Sequence, residues 1–147
     1  MILYKVLESW RVTDADVADI GVLVEALSPG AEKPTESRVR DTCSKHHVVI
    51  AVDTSIERQP IVGMTTLVIN HQLLGYRGYI EDVSRHPDYH GRGIGDGIMD
   101  KVHELARKNG VCKLALTCKP ARNGGNQLYL RKGYKLVETN VYRIELT

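Results

Sequence analysis

The stretch "HPDYHGRGIGDGIMDKVHELA" spans residues 86–106 and sets four glycines, at 91, 93, 95 and 97, against a helix-like pattern. Ordered glycine carries an entropic cost, so the cluster needs a reason. Within and after it, Ile94, Ile98, Val102 and Leu105 fall on one helical face, with Ala106 beside them. Just before it, "YIEDVSR" (79–85) reads as a strand. A strand, a glycine turn and a helix in immediate succession gather free backbone N–H groups and the positive end of a helix dipole, which makes an anion site. A flexible loop is the ordinary reading of clustered glycines, but the absence of any gap between strand and helix argues against it. Two common phosphate loops do not fit. G-x-G-x-x-G fails because its last position is Asp96 counted from Gly91, and Ile98 counted from Gly93. The G-K-S/T of the other loop is absent.

Working outward, "YKVLESWRVT" (4–13) has strand character, and "TDAD" offers an N-cap to a helix carrying Val17, Ile20, Val24 and Leu27. "SPG" (28–30) stops it, and residues 34–45 read as a second, polar helix with Pro34 near its start. Strands follow at 47–52, 61–69 and 79–85, with "NHQLLGYRG" connecting the last two. Beyond the central helix, which "KNG" ends, 111–117 is a strand and "ARNGGNQLYLRKGY" holds a short helix closed by Gly133. "YKLVET" and "VYRIEL" read as a final strand pair around Asn140. The order β–α–α–β–β–β–α–β–α–β–β implies an α+β protein with a mixed sheet. A doubly wound sheet would need strict alternation, which residues 47–85 break.

The 147 residues suit one domain, 1–147, with a real core. A net charge of +2 with no basic run gives no electrostatic case for nucleic acid. With no Phe and one Trp, a base-stacking platform is not evident. Lys5, Glu8 and Arg11 interrupt the N-terminal stretch, so it is neither a signal segment nor a membrane span. Cys43, Cys112 and Cys118 are odd in number and lack C-x-x-C spacing, which fits free thiols in a reducing, cytoplasmic setting. The six His have no metal-ligand spacing, so no metal is expected.

H-G-R-G-I-G at 90–95, followed by a helix, resembles the pyrophosphate-binding motif of the GNAT family of N-acetyltransferases, R/Q-x-x-G-x-G/A. "IEDVSRHPDYHGRGIG" looks like that family's fourth strand and turn, and "NQLYLRKGY" (126–134) like its later helix. His90 departs from the pattern, standing where Arg or Gln is usual, and Arg122 stands where the family often has Asn. Nearby Asn123 or Asn126 can substitute. The resemblance covers nearly the whole chain, most strongly 79–134. It implies a mostly antiparallel sheet of about six to seven strands, about four helices and a splayed, V-shaped cleft. It also implies acetyl-CoA as co-substrate. The pyrophosphate would be held by the turn at His90 and Gly91 and by backbone N–H groups of Arg92, Gly93, Ile94, Gly95, Asp96 and Gly97. A carboxylate at Asp96 favours the dipole but repels a phosphate, so its side chain is expected to point away. Lys101 and Lys108 are candidates for the 3′-phosphate, though exposed helix lysines are the plainer reading.

By the same resemblance Tyr129 takes the place of the tyrosine that protonates the CoA sulfur; a core tyrosine is the alternative. Backbone groups near Val83 and Arg85 would bond the pantetheine arm, and the Val83 N–H would polarise the thioester. Glu81 is the preferred general base, directly or through water, and needs a raised pKa for that work. Glu81 and Asp82 are adjacent on a strand, so only one faces a cleft unless a bulge intervenes. "IED" here also resembles glucosamine-phosphate N-acetyltransferases. The expected reaction is acetyl transfer to a small primary amine. A protein N-terminus or lysine as acceptor, or a non-catalytic CoA-binding protein, are the alternatives. The alternating last strands offer an edge on which a homodimer could form.

Overall fold

In a computed structural model describing residues 1–147, the chain forms five strands and four α-helices. These are β1 (Ile2–Val6), α1 (Asp14–Leu27), α2 (Glu36–Lys45), β2 (His47–Asp53), β3 (Ile61–Gln72), β4 (Gly75–Arg85), α3 (Ile94–Lys108), β5 (Lys113–Ala115) and α4 (Asn123–Arg131). The chain divides into two compact units, Met1–Thr117 and Cys118–Thr147.

The first unit is a sheet ordered β1-β2-β3-β4-β5, antiparallel throughout except for the parallel β4–β5 pair. Val48, Ile50, Val52 and Met64 pack with Ile20, Leu23, Val39 and Cys43 of α1 and α2. The opposite face takes α3, whose Ile94 and Ile98 sit over Gly63 of β3. β2 is buried along nearly its whole length, which explains why it reads as a continuous apolar run rather than an alternation. At α1, Thr13 accepts from the Asp16 N–H at 3.2 Å while the Asp16 carboxylate accepts from the Thr13 N–H at 2.9 Å. That is a capping box, and it fixes where the helix starts.

The second unit carries α4. Gly133, at φ 93°, closes it, and the Tyr134 N–H returns to the Tyr129 carbonyl at 2.9 Å.

Three expectations are corrected. The sheet has five strands, not six to seven, because "YKLVET" and "VYRIEL" form no ladder and lie exposed. Alternation assigns faces to a strand but does not supply the neighbour that its backbone groups need. Residues 70–78 are not a long connection. β3 and β4 pair through Gln72 and Gly75, leaving only Leu73–Leu74 at the tip, and His71 stacks on Tyr76 with ring centroids 4.1 Å apart. The strand expected over 4–13 stops at Val6, and Ser9–Arg11 turn as a 3₁₀ segment.

Candidate active site

The parallel β4–β5 ladder is only three residues long, pairing Arg77, Gly78 and Tyr79 with Lys113, Leu114 and Ala115. Past Tyr79 that edge of β4 has no strand beside it, because β5 ends at Ala115. Just there β4 carries a bulge. Met64 pairs with Ser84 and Thr66 with Glu81, leaving Asp82 and Val83 opposite Thr65 alone. Asp82 takes φ 55°, and the buried Thr65 hydroxyl donates to the Glu81 carbonyl at 2.9 Å. A bulge re-aims side chains, and this one lets both Glu81 and Asp82 reach the surface. Partial burial, and then the Asp82 carboxylate, raise the Glu81 pKa above its ordinary value. That is the direction a general base needs. Val83 is half-buried and Arg85 exposed.

After β4, residues Pro87–Tyr89 form a 3₁₀ turn that buries Tyr89. Gly91 and Gly93 adopt φ 74° and 73°, and no atom lies within 4 Å of where their Cβ would be. Only glycine takes both conformations freely. Helix α3 then starts at Ile94 with no side-chain cap, so the turn leaves helix N-terminal N–H groups for a ligand. Phosphate oxygens fit such a cradle. Gly97 drops out of the expected donor set, since its N–H donates to the Gly93 carbonyl at 3.1 Å. His90 is exposed on the turn. Lys101 lies 3.3 Å from Glu104 in an ion pair, as an ordinary helix lysine would.

Gly97 has a different reason to be glycine. A Cβ there would overlap the Tyr4 ring, which packs across α3 from β1 and donates its O–H to the Gly93 carbonyl at 3.3 Å. Burial, and then Asp96 and Asp100, raise the Tyr4 pKa, so the Asp96 charge is felt on this side of the helix. Gly→Ala in a helix interior ordinarily gains about 1 kcal/mol. Gly97→Ala is expected to show no such gain in urea unfolding, because Tyr4 must move aside. The same change in a Tyr4→Ala background should recover it.

In the second unit, Tyr129 is half-buried on α4, its ring edge-on to Tyr134 at 5.9 Å. Burial, and then Cys118, push its pKa up to about 12, with Arg122 pulling the other way. Such a phenol stays protonated at any working pH. The Asn126 amide donates to the carbonyls of Lys119 at 3.0 Å and Arg122 at 2.8 Å. It therefore holds the loop before α4, and only its oxygen remains to meet a cofactor.

Two residues next to the glycine turn escape notice in the sequence. Asp53, at the end of β2, is 2% exposed and accepts from the Tyr89 hydroxyl at 2.5 Å. It also accepts from the Ser55 N–H at 2.9 Å and hydroxyl at 2.6 Å. In the sequence, Asp53 followed by "TS" reads as a turn acid, and nothing in it points across to Tyr89.

Comparison with known proteins fits this geometry. The acetyltransferase (GNAT) family profile matches residues 18–134. Glucosamine 6-phosphate N-acetyltransferase 1 of Oryza sativa subsp. japonica is 27% identical over 91% of this chain and 85% of its own length. An aminoglycoside acetyltransferase from an uncultured soil metagenomic sample superposes with a TM-score of 0.81 at 17% identity, covering 100% of this chain and 99% of the other. Glucosamine-6-phosphate N-acetyltransferase from Arabidopsis thaliana gives 0.72 at 17% identity, covering 97% and 98%. With the family profile spanning most of the chain, from α1 to the end of α4, the protein belongs to the acetyltransferase (GNAT) family and is an acetyl-CoA-dependent N-acetyltransferase.

Proposed function

We propose that the protein acetylates the primary amine of a small molecule by direct attack within a ternary complex, with all 147 residues acting as one acetyltransferase domain. The observation that carries this reading is the β4 bulge, which presents Glu81 just past the end of the β4–β5 ladder. Relatives that act on glucosamine 6-phosphate and on aminoglycosides support a small, amine-bearing acceptor.

Bound acetyl-CoA supplies an activated acetyl thioester. Backbone N–H groups of the turn and the first turn of α3, from Arg92 to Asp96, hold the pyrophosphate. Backbone groups at Val83 and Arg85 bond the pantetheine arm, and the Val83 N–H polarises the thioester carbonyl as negative charge develops there. Glu81 takes a proton from the acceptor ammonium, directly or through water. The freed nitrogen lone pair forms the C–N bond as the C–S bond breaks, and Tyr129 gives its proton to the departing sulfur. The second proton of the nitrogen, released as the amide forms, restores the Tyr129 phenol through solvent. The Tyr129 assignment rests on the Leu-Tyr pattern of α4. A phenol held at about 12 is a reluctant acid toward a thiolate, so its proton moves only within a positioned hydrogen bond, as charge builds on the sulfur.

The test is CoA-thiol release over a panel containing glucosamine 6-phosphate, aminoglycosides, polyamines, and peptides with free N-termini or lysines. Release with one class of small amine supports the reading. Release only with peptides moves the acceptor to proteins. Thermal stabilisation by acetyl-CoA without release from any acceptor leaves a CoA-binding protein and overturns it.

A further inference from the structure

Tyr89 links a buried acid to an exposed cation. Its hydroxyl donates to Asp53 at 2.5 Å, and the Arg92 guanidinium carbon lies 4.4 Å from its ring centroid. His86 meets the same ring edge-on at 5.7 Å. Asp53 is not free to turn away, because its other oxygen accepts both bonds from Ser55. These bonds, those from Ser55 first, hold its carboxyl down to about 2, so it stays charged across the working range of pH.

We propose that Asp53 and Tyr89 are positioning residues for the CoA pyrophosphate. Asp53 fixes the Tyr89 ring, and the ring holds Arg92 beside the glycine turn as a cation for the pyrophosphate. This rests on the reading of the turn as the pyrophosphate site. A guanidinium stacked on an aromatic face is already ordered, and it keeps in-plane N–H donors for an anion. Ordering it in advance lowers the entropic cost of binding. Arg92 lies between Gly91 and Gly93, both in left-handed geometry, so the loop backbone alone does little to fix its side chain. The buried Asp53–Tyr89 pair supplies the fixed surface.

The test is calorimetric titration of CoA into the wild type, Arg92→Gln, Tyr89→Leu, Tyr89→Phe and the double variant Tyr89→Leu/Arg92→Gln. Arg92→Gln and Tyr89→Leu are each expected to weaken CoA about tenfold, the scale of one lost charge-assisted hydrogen bond. In the double variant the loss should stay near that of Arg92→Gln alone, because the ring acts through the guanidinium. Tyr89→Phe keeps the stacking face and loses the hydroxyl, with its bond to Asp53 and its contact with Arg92, so it should bind CoA between wild type and Tyr89→Leu. It is also the mildest change to the fold. Fully additive losses in the double variant, or undiminished affinity in Tyr89→Leu, would overturn the proposal, since a purely structural tyrosine gives the first and an idle one the second. A wild type that does not bind CoA overturns the pyrophosphate reading itself, whereas normal wild-type binding with additive variants overturns only the role given to Asp53 and Tyr89.

Discussion

Glu81→Gln is expected to lower kcat about a hundredfold or more, the usual scale for loss of a general base, while leaving the KM for acetyl-CoA little changed. Gln is close to isosteric and keeps the bulge, whose bond uses the Glu81 backbone carbonyl rather than its side chain. The pH profile carries a sharper signature. As the proposed base, Glu81 would work only when ionised, and burial and Asp82 hold its pKa above the ordinary value. Activity should therefore fall as pH drops through that raised pKa, on the acid side of the profile. Asp82→Asn removes the neighbouring charge, so the acid limb should move to lower pH with the rate on the plateau largely kept. In Glu81→Gln the limb assigned to Glu81 should vanish. Steady-state kinetics across pH for the three proteins would decide the assignment, and a Gln variant with wild-type turnover would sink it.

Gly63→Ala is expected to destabilise the fold by about 1–3 kcal/mol, the cost of overpacking a filled interior. Taken alone, replacing glycine within a strand should help, since glycine weakens strands. Here its missing side chain is what lets α3 sit against β3. A Cβ at Gly63 would lie 2.6 Å from the Ile94 Cγ2 and 2.8 Å from the Ile98 Cδ1, with Ala51 3.3 Å away. Ile94 and Ile98 are each 1% exposed, so neither can swing into solvent. The helix must shift or the isoleucines must leave their preferred rotamers. Ile94 is the first residue of α3, so the strain falls beside the glycine turn, and CoA affinity should drop together with stability. Urea unfolding of Gly63→Ala, Ile98→Val and the double variant checks this. The double variant should be more stable than the sum of the single losses predicts, because removing the Ile98 Cδ1 relieves one of the two closest contacts. An unchanged midpoint in Gly63→Ala would show that the sheet and helix are not so tightly seated.

Much of this was legible in the sequence where the signal is local. The Thr13 N-cap, the glycine turn before Ile94 and the αL cap at Gly110 each follow from residues a few positions apart. Glu81 and Asp82 stand out as neighbouring acids, and the bulge that turns both outward resolves the conflict with strand alternation. One local feature escapes the sequence: the His71–Tyr76 stack lies in a hairpin that runs through residues whose composition reads as a loop. What else could not be read was set by partners distant in the chain. The Asp53–Tyr89 bond joins positions 36 residues apart. In the sequence Gly97 reads as one more phosphate glycine, and only its contact with Tyr4, from the first strand, gives it a packing role. The C-terminal alternation promised strands, but pattern without an adjacent ladder left it exposed.

The shortness of the β4–β5 ladder also shapes how the molecule breathes. β2 and β3 pair over most of their length and lie in the buried middle of the sheet, so their amide protons should exchange with deuterated solvent only on near-global opening. β5 is tethered by three residue pairs and its residues are mostly exposed. Its amides, and those of β4 beyond Tyr79 that face the gap, should exchange far sooner, through local fluctuations that leave the rest of the sheet intact. The seam into which the pantetheine arm is proposed to slide is thus the sheet's softest line, and a ligand that bridges it should slow exchange there first.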